Sequence, residues 1–583
     1  MKAGSRGKRW SWIASTRCEG GTDVKMADVA VLLDREEARR RWRWGENAFG
    51  GELLEILSHG GIPHRRVFDP KELASRAPDV LLVALAGKEA VPLLKGVAER
   101  GGEVFIFGSY PEMAEALGAA EKILEGAGYA YTEVENQPPL RFLRACRWRV
   151  TSPTPFATKG GLNERTPDGP FYGPLYHRFE IGSGGITHWA VDLSATVVGL
   201  QQGTRPVERD GFPAPDGTAG IDDGILKADD GFEMDWEVDR ARTETGERYF
   251  AHPYADLWKE TLLRSLMKTV TARGLTIPFV DYWPGGISQV AMISLDSDWN
   301  LDDSAESTLR LLGECDVAAT WCLMEPGYSS GIYPKVTAAG HELALHYNAY
   351  EPDGGAWGRE AFSRQLEWLR GAIGTERVVS NKNHYTRYEG WGELFRWCEE
   401  FGIRSDQTRG PSKKGNIGFL FGTCHPYFPI ARAEEENRFY DVLEISFLTQ
   451  DINLGRLADE SVIVPFLEGV RRVRGVAHFL FHPIHLHREE PVRRALRRVV
   501  EEARMRDFDF WTGEQIDDWE RRRRRIRLAG VDEEGRPLVS ETAGCEDAAI
   551  MVPVPRGTEE RGRTVLRHGV RCKAWSLSLA KRV

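Results

Sequence analysis

The sequence predicts an α/β protein: a distorted barrel of seven βα repeats over residues 275–520, a doubly wound parallel α/β domain before it, and a loop-rich β region between the two. Three observations carry this. The chain has 583 residues, more than one hydrophobic core organises, so two to four domains are expected. Between residues 29 and 108, short apolar runs (VAVLLD, DVLLVAL, EVFIFG) alternate with helical stretches (GGELLEILSHGGI, VPLLKGVAERGG), the pattern of buried parallel strands and their crossover helices. Between residues 290 and 482, seven more apolar runs recur, with helical segments between most of them: VAMISL, AATWCL, ELALH, RVVSN, IRS, VLEIS and AHFLFH. STLRLLGECD and REAFSRQLEWLRGAIG are the clearest of these helices.

The expected organisation is a flexible N-terminus (1–26), the first α/β domain (27–125), a β-rich region with a connecting helix (126–274), the barrel (275–520) and a C-terminal tail (521–583). Within 126–274, strand-like RFLRACRWRV and ITHWAVDLSATVVGLQ are separated by Gly, Pro and Asp-rich loops such as DGFPAPDGTAGIDDG. The helix ADLWKETLLRSLMKTVTARG then leads into the barrel. The tail carries strand-like AAIMVPVP and no evident chemistry.

Bulk properties exclude several classes. Hydrophobic residues at 41% and charged residues at 28% describe a soluble globular chain. A net charge of −10 argues against nucleic acid as a partner. The basic run Arg521–Arg525 reads as the solvated face of a helix, with a polyanion or anionic-lipid contact as the alternative. No apolar stretch approaches the roughly 20 residues of a membrane span. The N-terminus, MKAGSRGKRWSWIASTRC, is basic but lacks an apolar h-region, so no standard signal peptide is expected and Met26 is an alternative start. The eight cysteines are scattered without a CxxC pair, which argues against a thiolate zinc site and a disulfide framework and favours the reducing cytoplasm.

The first domain, on the segments Gly50–Gly61, Asp79–Leu85 and Gly101–Gly108, resembles flavodoxin-like or glutamine-amidotransferase-like domains. Amidotransferases of that class need a cysteine at a strand-to-helix elbow. The elbow here reads Gly108-Ser109-Tyr110, and no cysteine lies between Cys18 and Cys146. Thiol catalysis is therefore not expected, and Ser109 lacks the GxSxG context of a serine nucleophile. A structural or partner-binding role is expected instead.

Chemistry concentrates in the barrel. Eight of the fourteen histidines fall between His341 and His487. In βα barrels, functional residues sit at the carboxyl ends of the strands. This sequence places there Asp296 and Asp298, His346, His384, Asp406 and His482. Asp296 and Asp298 are two residues apart and project to one side of an extended strand end. Two crowded carboxylates need a cation or a shared proton between them. Imidazoles with a carboxylate suit a catalytic divalent ion, leaving the other carboxylate as a base. The bland alternative is that SDWNLDDSAE caps the following helix.

LDSDW, the segment Gly340-His341-Glu342-Leu343-Ala344-Leu345-His346, FLFHPIHLH, NHYTRY, GFLFGTCHPYFP and LEISFLTQDINL together resemble the NodB-type polysaccharide deacetylases, over about 245 residues. The resemblance implies a deacetylase barrel with Asp296 as base, Asp298 and His346 as metal ligands, and His482 as general acid. His485 and His487 compete with His482 for that role. Family members carry a second histidine four residues after the one matched by His346; here that position is Tyr350. His384, expected at a strand end facing the same mouth, is the replacement ligand. Arg387 orients the base or holds substrate, with an ordinary ion pair as the alternative. Trp299, Tyr350, Tyr385 and His485 are the expected substrate contacts, although aromatic density also suits a core. His341 precedes its strand and is expected to be structural, and Asp406 and Asp451 either orient catalytic groups or cap turns.

The expected function is metal-dependent hydrolysis of an acetyl group on an N-acetylated or O-acetylated carbohydrate. The ion is zinc, with cobalt, nickel or manganese as alternatives. Rival readings are an inactive glycan-binding relative and a metal-dependent amidase acting on a non-sugar. The partner is a sugar-containing small molecule, and nothing in the sequence sets the oligomeric state.

Overall fold

The computed structural model describes residues 25–124, 126–151, 156–222, 224–557 and 563–583; most of the N-terminal segment expected over 1–26, with Cys18, lies outside the described residues. The chain divides into two compact units. Among the described residues, one comprises those of 25–196, 258–287 and 520–583, and the other those of 197–257 and 288–519.

The first unit is built on a seven-stranded sheet. Its strands are β1 (Val29–Leu33), β2 (Arg65–Val67), β3 (Val80–Leu85), β4 (Glu103–Phe107), β5 (Phe156–Lys159), β6 (Tyr176–Ile181) and β7 (Gly184–Trp189), in the spatial order β2-β1-β3-β4-β7-β6-β5. The strands from β2 to β7 in that order are mutually parallel, and β6 and β5 add antiparallel. Leu32, Leu81, Val83, Val104 and Ile106 are all but fully buried, as continuous apolar strands covered on both faces must be. Helix α1 (Arg35–Arg43) follows β1. Its N-cap Asp34 accepts from the amides of Glu36 and Glu37, and acidic residues in its first turn and basic ones in its last match the helix dipole. At the elbow after β4, Gly108 has φ +69° and the exposed Ser109 donates its Oγ hydrogen bond to Glu121 at 2.6 Å.

The strand-like AAIMVPVP of the C-terminal residues forms a strand, Ala548–Pro553, which pairs antiparallel with Phe279–Pro284 on one side and with Val570–Ser576 on the other. One expectation changes: the basic run is not a wholly solvated face. Arg523, with a side chain 1% exposed, binds Glu520 at 2.6 Å, and Arg524 reaches Glu55 at 2.6 Å. Nearby carboxylates draw these two guanidiniums inward, because a buried charge persists only when paired.

The second unit carries the expected βα repeats as a run of parallel strands: β8 (Gln289–Asp296), β9 (Thr320–Leu323), β10 (Glu342–Tyr347), β11 (Ser380–Asn383), β12 (Ser405–Asp406), β13 (Leu443–Glu444), β14 (Thr449–Gln450) and β15 (Val476–Phe481). Their order is β13-β12-β11-β10-β9-β8-β15-β14, and β16 (Phe508–Phe510) also pairs with β8. The path thus holds eight strands rather than seven, and among the described residues no ladder joins β13 to β14. All eight residues of β8 and all six of β15 are buried. Helices Asp302–Cys315, Arg359–Ile373, Glu393–Phe401, Ile463–Val473 and Glu490–Met505 alternate with the strands, each with an apolar stripe turned inward.

The loop-rich residues 205–250 belong to this unit. Asp229 accepts from the amide and hydroxyl of Ser412 and from Asn416 Nδ2, and Lys227 forms a backbone bridge to Arg387. These contacts lay the loop beside the carboxyl ends of the strands.

Glu342, at the opposite end of β10, is 6% exposed and accepts from Thr320 Oγ1 at 2.7 Å and the Glu514 amide at 2.9 Å. Burial raises its carboxyl to about 7, with these hydrogen bonds opposing. The folded chain therefore holds a proton here that the unfolded chain has released above about pH 4.5, so this group's stability contribution falls as pH rises from about 4.5 to about 7 and is level beyond. Unfolding transitions followed against pH should show Glu342→Gln gaining about 3 kcal/mol relative to the parent across that window.

Candidate active site

The register of the parallel strands sets the site. His346 on β10 lies level with Lys382 on β11, and Asp296 ends β8 level with Cys322 on β9. Because these are strand ends, side chains from four neighbouring segments turn into one mouth.

Three donors converge there. Asp298 Oδ1 is 3.2 Å from His346 Nε2, and Asp298 Oδ2 is 3.6 Å from His384 Nε2. The ligand atoms of the three all lie within 4.8 Å of one another. Two donors on a tetrahedral zinc at roughly 2.0–2.1 Å each would sit about 3.4 Å apart. The imidazoles are oriented from behind. His346 Nδ1 lies 3.0 Å from the Lys382 carbonyl, and His384 Nδ1 lies 3.4 Å from Asn348 Oδ1. With Nδ1 as the donor, each Nε2 presents a lone pair toward the Asp298 carboxylate. Both His346 Nε2 and Asp298 Oδ1 are buried without a hydrogen-bond partner. Facing lone pairs with no proton between them call for a cation, and the N, N, O donor set suits a divalent transition ion. The residues present therefore fit the expected metal.

Asp296 flanks this cluster, with Oδ2 3.9 Å from His346 Nε2. Its cationic neighbour is Lys382, whose Nζ lies 3.7 Å from Oδ1. Lys382 is wholly buried, donates to Ser294 Oγ at 2.9 Å and sits 4.3 Å above the Phe447 ring. Ser294 Oγ is in turn 2.8 Å from His478 Nε2, and His478 Nδ1 is 3.1 Å from the Ile445 carbonyl.

His482 lies on the other flank, its Nε2 3.5 Å from Asp298 Oδ2. Asp451 holds it twice: Oδ1 accepts from the His482 amide at 2.9 Å, and Oδ2 sits 2.5 Å from Nδ1. Burial lowers the imidazole's proton affinity, and the charges of Asp451 and Asp298 more than reverse this, raising it to about 10. Burial likewise pushes the Asp298 carboxyl up, but the charge of His482 holds it well below the usual carboxylate range.

The remaining sequence candidates fall as follows. Arg387 is engaged by Glu351 at 2.7 Å and by Glu389, so it is an ion-pair residue and the cation beside Asp296 is Lys382. The Tyr350 ring lies 4.8 Å from that of Tyr385. Tyr385 is 47% exposed and Trp299 63%. Tyr385 and Thr386 occupy left-handed backbone at φ +56° and +53°, a strain that turns the chain sharply just after His384. His485 Nε2 is 4.0 Å from Asp451, whereas His487 bonds Ser307 on an exposed face. His341 accepts from the Ala319 amide at the opposite strand end, and burial lowers its pKa to about 4. Asp406 is buried among Asn381, Thr408 and β13.

Sequence reasoning missed Lys382, Ser294, His478 and Asn348, and left Asp451 undecided. One signal existed: a lysine two residues before His384 in the strand reading SNKNH, where alternation sends both to the same side.

No protein-family model matches the chain. No curated protein matches it. Among solved structures, the chain is similar to one described as a polysaccharide deacetylase from Mycobacterium smegmatis, at 20% identity over 42% of this chain and 93% of that chain, with a TM-score of 0.31. It is similar to one described as a polysaccharide deacetylase involved in O-antigen biosynthesis from Bordetella bronchiseptica, at 18% identity over 41% and 91%, TM-score 0.25. A third is a CE4 family pseudoenzyme from Bacillus anthracis, at 13% identity over 40% and 66%, TM-score 0.25. All three TM-scores lie below 0.5, so a functional reading has to stand on the site's own geometry.

Proposed function

We propose that this chain is a metal-dependent hydrolase that removes an acetyl group from an N-acetylated or O-acetylated carbohydrate. The observation that carries this reading is the convergence on Asp298 of two oriented imidazoles, with a separate carboxylate on one flank and a third imidazole, held by Asp451, on the other.

Asp298, His346 and His384 would hold the ion. When bound, such an ion lowers the pKa of a water toward about 7 and polarises an acyl oxygen. Asp296 takes the proton from the attacking water, and Lys382, 3.7 Å away, aims its carboxylate. His482, charged through neutral pH, gives its Nε2 proton to the departing amine or alkoxide. Asp451 holds that ring in place through both carboxylate oxygens. Tyr350, Tyr385 and Trp299 offer ring faces for a sugar at the mouth. All seven described cysteines are free thiols, which suits the cytoplasm and a substrate met there. No helix among the described residues is long and apolar enough to cross a membrane.

Elemental analysis of the purified protein should find about one ion per chain, lost in Asp298→Ala, His346→Ala and His384→Ala. Absence of an ion from the parent after incubation with zinc or cobalt would sink the mechanism. With N-acetylated sugars as substrates, Asp296→Asn should keep the ion and lose about 10²–10⁴ in kcat of acetate release. Lys382→Met should lose about 10–100-fold in kcat with little change in KM. Retained metal with hydrolysis only of non-sugar amides would move the substrate class and leave the site standing. The pH profile adds a further check. A general acid works only below its pKa, so Asp451→Asn, by removing the charge that raises His482, should shift the alkaline limb of kcat to lower pH.

A further inference from the structure

We propose that the first unit binds a phosphorylated carbohydrate in the cleft at the carboxyl ends of its parallel strands. The cleft has a volume of about 1690 Å³, above the roughly 300–1,000 Å³ of most small-molecule pockets. It is lined by the residues that follow four strands: Asp34 after β1, Gly87 after β3, Ser109 after β4, and Asp192 after β7. The strand order β2-β1-β3-β4 puts a topological switch between β1 and β3, the place where open α/β sheets receive ligands.

The lining selects the ligand class. Carboxylates already occupy the amides of Glu36, Glu37, Gly87 and Tyr110 at these strand ends. Asp34 accepts from Glu36, Glu37 and Gly87, and Glu121 accepts from the Tyr110 amide and the Ser109 hydroxyl. An anionic group would be met by side chains instead. Arg35, Arg39 and Arg43 are spaced by four along α1, so they form one stripe, and all three line the cleft. Arg40 and Arg41 are engaged by Glu37. Among the described residues, Arg39, Arg43, Lys71 and Lys88 form no ion pair, and all four are exposed. Arg35 lies flat on the Phe68 ring at 3.9 Å.

A pure anion site would carry cations alone, and this one does not. Glu89, Glu112 and Asp192 also line the cleft. Asp192 Oδ1 accepts from the Ala195 amide at 3.1 Å, and its other oxygen and the Ser194 hydroxyl carry no partner among the described residues. Carboxylates and hydroxyls suit sugar hydroxyls, which both donate and accept, while the arginine stripe suits phosphate. Ser109 Oγ donates to the carboxylate of Glu121, and among the described residues no histidine bonds that hydroxyl (His188 bonds the Gly108 carbonyl instead), so the role assigned is binding and not catalysis.

Calorimetric titration of the full chain with UDP-glucose, glucose 1-phosphate, glucose and inorganic phosphate tests this. At least one phosphorylated sugar should bind, more weakly as salt is added, and at least tenfold more tightly than glucose or inorganic phosphate. Arg39→Ala/Arg43→Ala should weaken that binding at least tenfold, Arg39→Lys/Arg43→Lys should recover part of it, and Asp298→Ala should leave it unchanged. No binding at millimolar concentration, equal binding of inorganic phosphate, indifference to the arginine variants, or loss in Asp298→Ala would each overturn the proposal. None of these outcomes depends on whether the barrel hydrolyses anything.

Discussion

The carboxylate of Asp298 is the constraint around which the second unit is organised. Three imidazoles approach it, two with lone pairs and one with a proton, while Asp296 stands two residues away on the same strand end. Two carboxylates this close repel, and burial magnifies the repulsion. The fold answers with a cation for each: Lys382 beside Asp296 and charged His482 beside Asp298. A metal ion among Asp298, His346 and His384 would complete the neutralisation.

Each of these cations is itself held by groups that bear on the site. Lys382 is fully buried, and an unpaired ammonium there would cost several kcal/mol. Ser294, backed by His478, and the Phe447 face take up its charge together with Asp296. The same residue's carbonyl orients His346, so one position on β11 serves both the base and a metal ligand. Asp451 plays the matching part on the other flank through its double grip on His482. Its backbone sits in left-handed conformation at φ +41°, a strain of the kind that persists where surrounding contacts over-determine a conformation.

The two units share one logic. In each, parallel strands deliver polar residues to their carboxyl ends, where the chain leaves the sheet and side chains are free of the ladder. In the second unit those residues meet over a few ångströms and leave lone pairs unmatched. In the first they line a wide cleft.

Periodicity alone made much of this legible. Apolar runs marked β1, β3, β4, β8, β9, β10 and β15, because strands buried on both faces must be continuously apolar. The position of polar residues just after those runs singled out Asp296, Asp298, His346, His384 and His482. Other features came only with the tertiary structure. The two-residue strands β12, β13 and β14 carry too little pattern to be bounded. The pairing of β7 with β4 and that of Ala548–Pro553 with Phe279–Pro284 join segments distant in sequence, and pairing over such separations leaves no local mark. The ion pairs of Arg387, Arg523 and Arg524, and the place of Lys382 beside Asp296, depend on which strands lie side by side. Residue type and spacing can nominate a charged group; only the register between neighbouring strands decides which opposite charge it meets.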